Sequence, residues 1–349
     1  MTKTYTETLL PPSDLPDGDF SELKSGRRMG QLKTDHWHIL KGLLRNPLSV
    51  IGLVLVLIFA LLALLAPVIA PPVGADPYNI PRDGYQYEPQ PMGSPWANNA
   101  PEMPFWYKAF TGQGQWKHLL GTTEGQYDIF YGIIWGTRTA FKSAFIVVLA
   151  TFLIGVLIGS LAGYYGGVLD NILMRIVDIF MTLPFIFAAL IMAAVLTPLM
   201  GRSPFPSILA LITFGWMGYA RIIRGDVLAI KQRDFVMAAR AIGVKDGQIL
   251  IRYILPNAIF PTLAYATLNV GEVVLSFAAL SFLGIGTQVG TADWGQLLSF
   301  GRNWIMSLAQ YWYIVVWPAL ALVLFVLAWN LIGDALRDLF DPHTKDQYD

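Results

Sequence analysis

Cysteine is absent from the 349 residues, which removes disulfides, thiolate metal sites and a cysteine nucleophile together. Charge is scarce as well. Asp, Glu, Lys and Arg make up 14% of the chain, against about a quarter in an ordinary soluble domain. The charges present cancel to a formal net of zero, so no basic excess exists to draw nucleic acid. The only histidines are His36, His38, His118 and His343, and none has the His-Glu-x-x-His spacing of a zinc protease. His36-x-His38 reads as two solvated side chains in a polar tail. No Gly-x-Ser-x-Gly elbow occurs, and no Gly-x4-Gly-Lys-Ser/Thr phosphate loop. These absences argue against an intramembrane enzyme and against a chain that cradles ATP itself; neither cofactor nor metal is expected on it. The first 46 residues are polar, so no secretory signal peptide is expected.

What is abundant is apolar sequence: hydrophobic residues make up 54%, clumped into runs of membrane length. Six runs can cross a hydrocarbon layer of roughly 30 Å: Leu48–Ile69, Ala140–Leu161, Leu173–Leu196, Ser207–Ile223, Ile259–Leu280 and Tyr313–Ile332. The fourth is the weakest, short and interrupted by Gly215 and Gly218. The expected fold is all-α, a polytopic membrane protein of six transmembrane helices. Around it the sequence divides into a polar N-terminal tail (1–47), the first span (48–70), an external segment ending in an interfacial helix ahead of the second span (71–138), a core of five spans (139–338) and a C-terminal tail (339–349). Residues 1–30 have the composition of a disordered segment.

Basic residues set the orientation. The 221–257 loop holds Arg221, Arg224, Lys231, Arg233, Arg240, Lys245 and Arg252, opposed only by Asp226, Asp234 and Asp246. The longer 71–138 segment carries just Arg82, Lys108 and Lys117 before Arg138. The positive-inside rule therefore puts 221–257 in the cytoplasm, and an even number of spans puts both termini there. Lys41 and Arg45 agree. Residues 71–120 are rich in Pro, Gly and aromatics, including Trp96, Trp106, Tyr107 and Trp116. Interfacial anchoring with loop packing, and contact with an external protein, are both open readings.

Within the basic loop, Phe235, Ala238, Ala239 and Ile242 fall at i, i+3, i+4 and i+7, one short apolar stripe on a helix. Asp234 can cap that helix at its start, and Gly243 can end it in the left-handed conformation. A stripe made mostly of alanine is narrow, which suits docking better than a core. This pattern, with Leu255-Pro256 beyond it, resembles the EAA loop of importer permeases of the ATP-binding-cassette class. Further blocks point the same way: Gly121-Thr-Thr-Glu-Gly-Gln-Tyr-Asp128 leading to Trp135-Gly-Thr-Arg138, Ala162-Gly-Tyr-Tyr-Gly-Gly167 with Asp170, Met174, Arg175, Asp178 and Pro184, Leu280-Ser-Phe-Leu-Gly-Ile-Gly-Thr-Gln288 with Trp294-Gly295, and Asn330, Gly333-Asp334, Leu336-Arg337-Asp338 and Asp341-Pro342. From about Leu44 to Pro342 the chain is similar to the C-type subunit of dipeptide and oligopeptide importers.

The resemblance implies a type I importer permease fold in a bacterial or archaeal inner membrane. It also implies a homologous second permease subunit, two ATP-binding subunits that hold ATP and magnesium, and an extracytoplasmic solute-binding protein. Asp234, Phe235, Ala238, Ala239, Ile242, Gly243, Leu255 and Pro256 would form the loop that couples to the ATPase. Cargo is expected to be peptide, with oligosaccharides or metal chelates as the alternative. A secondary transporter would need internal repeats and several buried ionisable groups.

Three departures from the family pattern stand out. Met237 occupies the EAA glutamate position, where with Asp234 as cap an acid would complete a capping box. Thr123 and Tyr127 likewise replace an acid and a base near the second span. Phe277 stands where relatives carry an intramembrane glutamate, while Glu272 lies five residues earlier, in mid-span. An acid at that depth is costly and marks a functional candidate: a cavity wall, a bond to a neighbouring helix, or proton coupling. Asn269, Glu272 and Phe277 are the candidate pathway-lining residues. Arg175 and Asp178, one helical turn apart, read as an ion pair.

Overall fold

The computed structural model describes Leu44 and residues 46–98, 100–111 and 116–340. The readings on His36, His38, Lys41, Arg45, His343, Asp341-Pro342 and most of both tails lie outside the described residues. Five helices are long and apolar enough to cross a membrane, and a sixth crossing can be assembled from a bent pair.

Helix α1, Pro47–Ile69, starts with Pro at its first position and with Asn46 Oδ1 accepting the Leu48 N–H at 3.0 Å. Its 23 residues rise about 35 Å at 1.5 Å each, enough for one crossing. Only Ser49, Gly52, Phe59 and Ala66 are buried. Such an all-round apolar helix, with most of its surface uncovered, is solvated by lipid. It leans on the last helix through Gly52, whose Cβ would sit 2.9 Å from that of Leu331, and through Phe59, 5.3 Å from the Phe325 ring. A short α2 covers Phe105–Thr111.

Helix α3 runs unbroken from Ile129 to Tyr165. The expected separate interfacial helix ahead of the second span is therefore corrected: both are one helix of 37 residues, about 55 Å long. Asp128 caps it, accepting the Tyr131 N–H at 2.7 Å. Along α3, Gly155, Gly159 and Gly163 recur every four residues and face α6, Pro204–Lys231. A Cβ would stand 2.6 Å from the Trp216 carbonyl oxygen at Gly155, 2.8 Å from the Ala220 carbonyl carbon at Gly159, and 2.9 Å from the Arg224 carbonyl oxygen at Gly163. Lipid offers no hydrophobic drive for helices to associate, so close backbone packing at small residues does much of that work.

The expected span Leu173–Leu196 is instead two helices, α4 at Gly167–Met181 and α5 at Phe185–Met200, bent by 83°. Pro184 lies at the break, where it supplies no N–H and disfavours helix at the residue before it. The Arg175–Asp178 pair is corrected too. Asp178 pairs with Arg221 at 2.6 Å, and Asp170 takes Arg224 in a two-pronged pair at 2.5 and 2.6 Å. Both acids tie α4 to α6, and the pairing lets α6 stay helical well beyond Ile223. Its glycines do not interrupt it; Gly215 packs on Thr151 and Gly218 on Tyr265.

After α6 come α7 (Asp234–Ala241), α8 (Asp246–Ile249), a π-helical turn (Leu250–Ile254) and α9 (Leu255–Phe282). The chain then passes through α10 (Trp294–Phe300), a 3-10 turn (Gly301–Ser307) and α11 (Leu308–Tyr311) to α12, Tyr313–Phe340. The main core gathers Trp135, Val147, Leu211, Val274, Phe277, Trp294 and Phe325.

The segment between α1 and α3 is folded without extended strands among its described residues. Isolated bridges join Arg82 to Tyr127 and Pro95 to Lys117. Trp96, Tyr107 and Trp116 are buried together, and Trp106 donates its ring N–H to the Ile69 carbonyl at 3.1 Å. Asp83 organises the loop. Burial alone would raise its carboxyl, but the donors of Asn98, Gln90 and Ala97, with His118 beside it, hold it below the usual value. His118 Nδ1 lies 2.7 Å from Asp128 Oδ2, so the loop is fastened to the cap of α3.

Asp293 caps α10, accepting the Gly295 N–H at 3.3 Å. Burial pushes its carboxyl up to about 6 despite donors from Ser281, Gly295 and Gln296 that favour the charged form. An acid with a raised folded value stabilises below its unfolded value of 3.8 and loses that contribution as pH rises through about 6. Wild-type stability is expected to fall by about 3 kcal/mol over that interval, at 1.36 kcal/mol per pH unit of displacement. Asp293→Asn keeps the cap and is expected to remove the decline. Thermal unfolding of the detergent-solubilised protein between pH 4 and 8 reads this directly; parallel curves for the two proteins would refute it.

Candidate functional site

Helix α7 is a detached eight-residue helix beyond the end of α6. Its N-cap is Arg233, with no side-chain cap bond, so the reading of Asp234 as cap is corrected. Asp234 is the first helical residue, where its carboxylate still favours the positive end of the helix dipole. Met237 then falls outside the capping-box position, so an apolar side chain there forfeits no backbone tie.

The far end follows the expectation. Gly243 has φ +80°, its N–H donates to the Arg240 carbonyl at 3.1 Å, and Val244 N–H reaches back to Ala239 at 3.1 Å. Those two bonds make a Schellman cap.

The four-residue stripe does not form one face. Val236 and Ala239 are buried and Phe235 is half-buried, packed with Tyr164, Ile223, Val227, Ile249, Ile254 and Ala258. Ala238 is exposed, and so are Met237 and Ile242, the last at 80%. The outward face is thus Met237, Ala238, Ala241 and Ile242, rimmed by exposed Arg233, Arg240 and Lys245. Leu255 and Pro256 open α9 rather than lying in a loop. The support beneath α7 is built from three directions. Tyr164 at the end of α3 donates to Asp246 Oδ1 at 2.5 Å, and Lys231 at the end of α6 donates to the Tyr164 carbonyl.

A cavity of about 330 Å³ opens among the spans. The α4–α5 bend supplies Phe180, Pro184 and Phe185, α6 supplies Phe214 and Gly218, and α9 supplies Tyr265, Asn269 and Glu272. The Tyr219 hydroxyl donates to Asn269 Oδ1 at 3.2 Å, and Asn269 Nδ2 donates to Glu272 Oε2 at 3.1 Å. Asn269 and Glu272 therefore share one wall. Phe277 does not: it is buried in the main core at 2% exposure, which corrects its place among the lining residues. Tyr265 and the aromatic bend escaped the sequence reading. Tyr265 lies seven residues before Glu272, almost two full turns, so the polar stripe 265, 269, 272 was present in the helical period.

A membrane bundle with a cavity among its spans, one wall of it polar, and a propped-out helix at one end fits a membrane permease. Residues 155–346 match the family described as binding-protein-dependent transport system inner membrane component, and residues 37–90 match the N-terminal TM domain of oligopeptide transport permease C. The chain belongs to the binding-protein-dependent transport system inner membrane component family. It is 38% identical over 312 residues to the dipeptide transport system permease protein DppC of Escherichia coli K12, covering 89% of this chain and 93% of that one. The corresponding protein of Alkalihalophilus pseudofirmus is 32% identical over 305 residues, covering 87% and 89%. A solved structure described as inward facing conformations of the MetNI methionine ABC transporter covers 61% of this chain and 98% of its own, at 22% identity and TM-score 0.49.

Proposed function

We propose that this chain is the permease subunit of an ATP-driven peptide importer, forming half of a translocation pathway. A homologous second permease supplies the other half. Two separate subunits bind ATP and magnesium, and an extracytoplasmic binding protein delivers the cargo. The observation that carries this reading is the outward face of α7. Met237, Ala238, Ala241 and Ile242 form an apolar patch with a basic rim at the end of the bundle where basic residues concentrate. A patch of that kind on a protein surface marks an interaction site, and the basic excess supports a cytoplasmic location with both termini on the same side. End-to-end likeness to dipeptide permeases supports peptide as cargo.

Motion at the ATPase would reach the spans through the props beneath α7, with Tyr164, Asp246 and Lys231 transmitting force to α3, α6 and α9. Moving a two-state transporter from 1:99 to 99:1 takes about 5.5 kcal/mol, so the α7 patch acts as one part of a larger interface. Affinity purification of the tagged chain from its native membranes in mild detergent tests the reading. Co-recovery of ATP-binding chains and a second permease is expected; recovery of this chain alone would overturn it. Native mass spectrometry of the associated binding protein then reads the cargo.

A further inference from the structure

The cavity carries one anionic group and no cationic one. Its lining includes Glu272, Asn269 and Tyr265, with no Lys, Arg or His. Glu272 lines the cavity, is exposed on this chain, receives a hydrogen bond from Asn269 and forms no ion pair among the described residues. A carboxylate held at span depth without a counter-ion among its own chain's described residues is costly, and the cost falls when a cation arrives. The hydrogen-bond chain from Tyr219 through Asn269 orients the carboxylate, so its geometry is set before any ligand enters. The same cavity is lined by the rings of Phe180, Phe185, Phe214 and Tyr265, and aromatic faces attract ammonium groups. The volume, about 330 Å³, sits at the lower end of small-molecule sites, roughly 300–1,000 Å³.

Resting on the proposed function, we infer that this cavity is a transit site for the α-ammonium group of a peptide. Glu272 takes the charge, the aromatic walls flank it, and Asn269 is the positioning residue that aims the carboxylate. The peptide's own carboxylate is repelled by the same group, so cargo passes with its amino end engaged here. Selection by this chain is then selection for a free amino terminus, independent of the peptide's side chains.

The test uses the whole assembly in proteoliposomes with saturating binding protein. Uptake of Ala-Ala is compared with uptake of lactoyl-alanine, in which a hydroxyl replaces the ammonium. Each rate is divided by the separately measured fraction of loaded binding protein, which removes discrimination by that partner. Wild type is expected to favour Ala-Ala at least tenfold. In Glu272→Gln the ratio of the two rates is expected to collapse to about one, and Glu272→Asp is expected to restore part of it. A ratio in Glu272→Gln equal to that of wild type overturns the ammonium site. Should wild type move neither compound with ATP, the peptide-importer reading fails and takes the inference with it. The amount of assembled complex and its ATP hydrolysis identify any variant that merely misfolds.

Discussion

Leucine in place of Gly159 is expected to abolish the assembled transporter. A Cβ at that position would already overlap the Ala220 peptide group of α6, and the obstruction is backbone, which cannot rotate away as a side chain can. Overpacking a core typically costs about 1–3 kcal/mol where neighbours can yield. Here α3 and α6 must separate along a seam that also includes Gly155 and Gly163, so the cost is expected to exceed about 3 kcal/mol. The α3–α6 seam supports both the cavity and the props of α7, so uptake and assembly are lost together. Gly225→Ala is the matched control. Gly225 lies on the same α6 with nothing near its Cβ position, and alanine in a helix interior is favoured over glycine by roughly 0.5–1 kcal/mol. Size-exclusion profiles of the two variants should diverge: aggregated or absent for Gly159→Leu, native for Gly225→Ala. A native profile for both would refute the close-packed seam.

The second large effect concerns coupling rather than folding. Gly243→Val places a β-branched residue at φ +80°, a region costing L-residues about 1–2 kcal/mol and more for branched ones. No atom lies within 4 Å of the added Cβ, so the effect is on backbone conformation, not on packing. The Schellman bonds to Ala239 and Arg240 are lost, and Ile242, at the edge of the exposed patch, swings out of register. The buried side of α7 keeps Val236 and Ala239, so the bundle is expected to remain folded. Uptake in membrane vesicles is expected to fall at least tenfold at unchanged protein level, with ATP hydrolysis no longer stimulated by loaded binding protein. Gly247→Ala, another open position with no positive φ, is expected to be silent. Equal, normal uptake in both variants would remove the cap from the coupling argument.

The five long apolar helices and the bent pair were legible because each is a run of lipid-compatible residues, and that signal survives any detail of packing. Their ends were not. Helix α3 begins eleven residues before the expected Ala140, because polar residues of its outer part are satisfied by the folded external segment. Helix α6 continues past Ile223 because acids of α4, remote in sequence, neutralise Arg221 and Arg224. The bend between α4 and α5 was written in Pro184, yet hydropathy is blind to direction. For α7 the periodicity located a helix but could not choose its inward face. An eight-residue helix apolar on both sides has two candidate stripes, and tertiary packing buried Val236, which lay off the expected one. Glu272 and Asn269 stood out as polar residues within a span. Phe277 was assigned by family position, but five residues at 100° each carry it about 140° around the helix from Glu272, into the core.

The central claim is that the Met237, Ala238, Ala241 and Ile242 face meets a separate ATP-binding chain. A photo-crosslinking amino acid at Ile242, irradiated in native membranes and followed by mass spectrometry of the adduct, tests it most directly, with the half-buried Phe235 as the control position. The account predicts an adduct between position 242 and an ATP-binding subunit, absent or much weaker at position 235. Adducts from position 242 to lipid or to unrelated chains alone would contradict it.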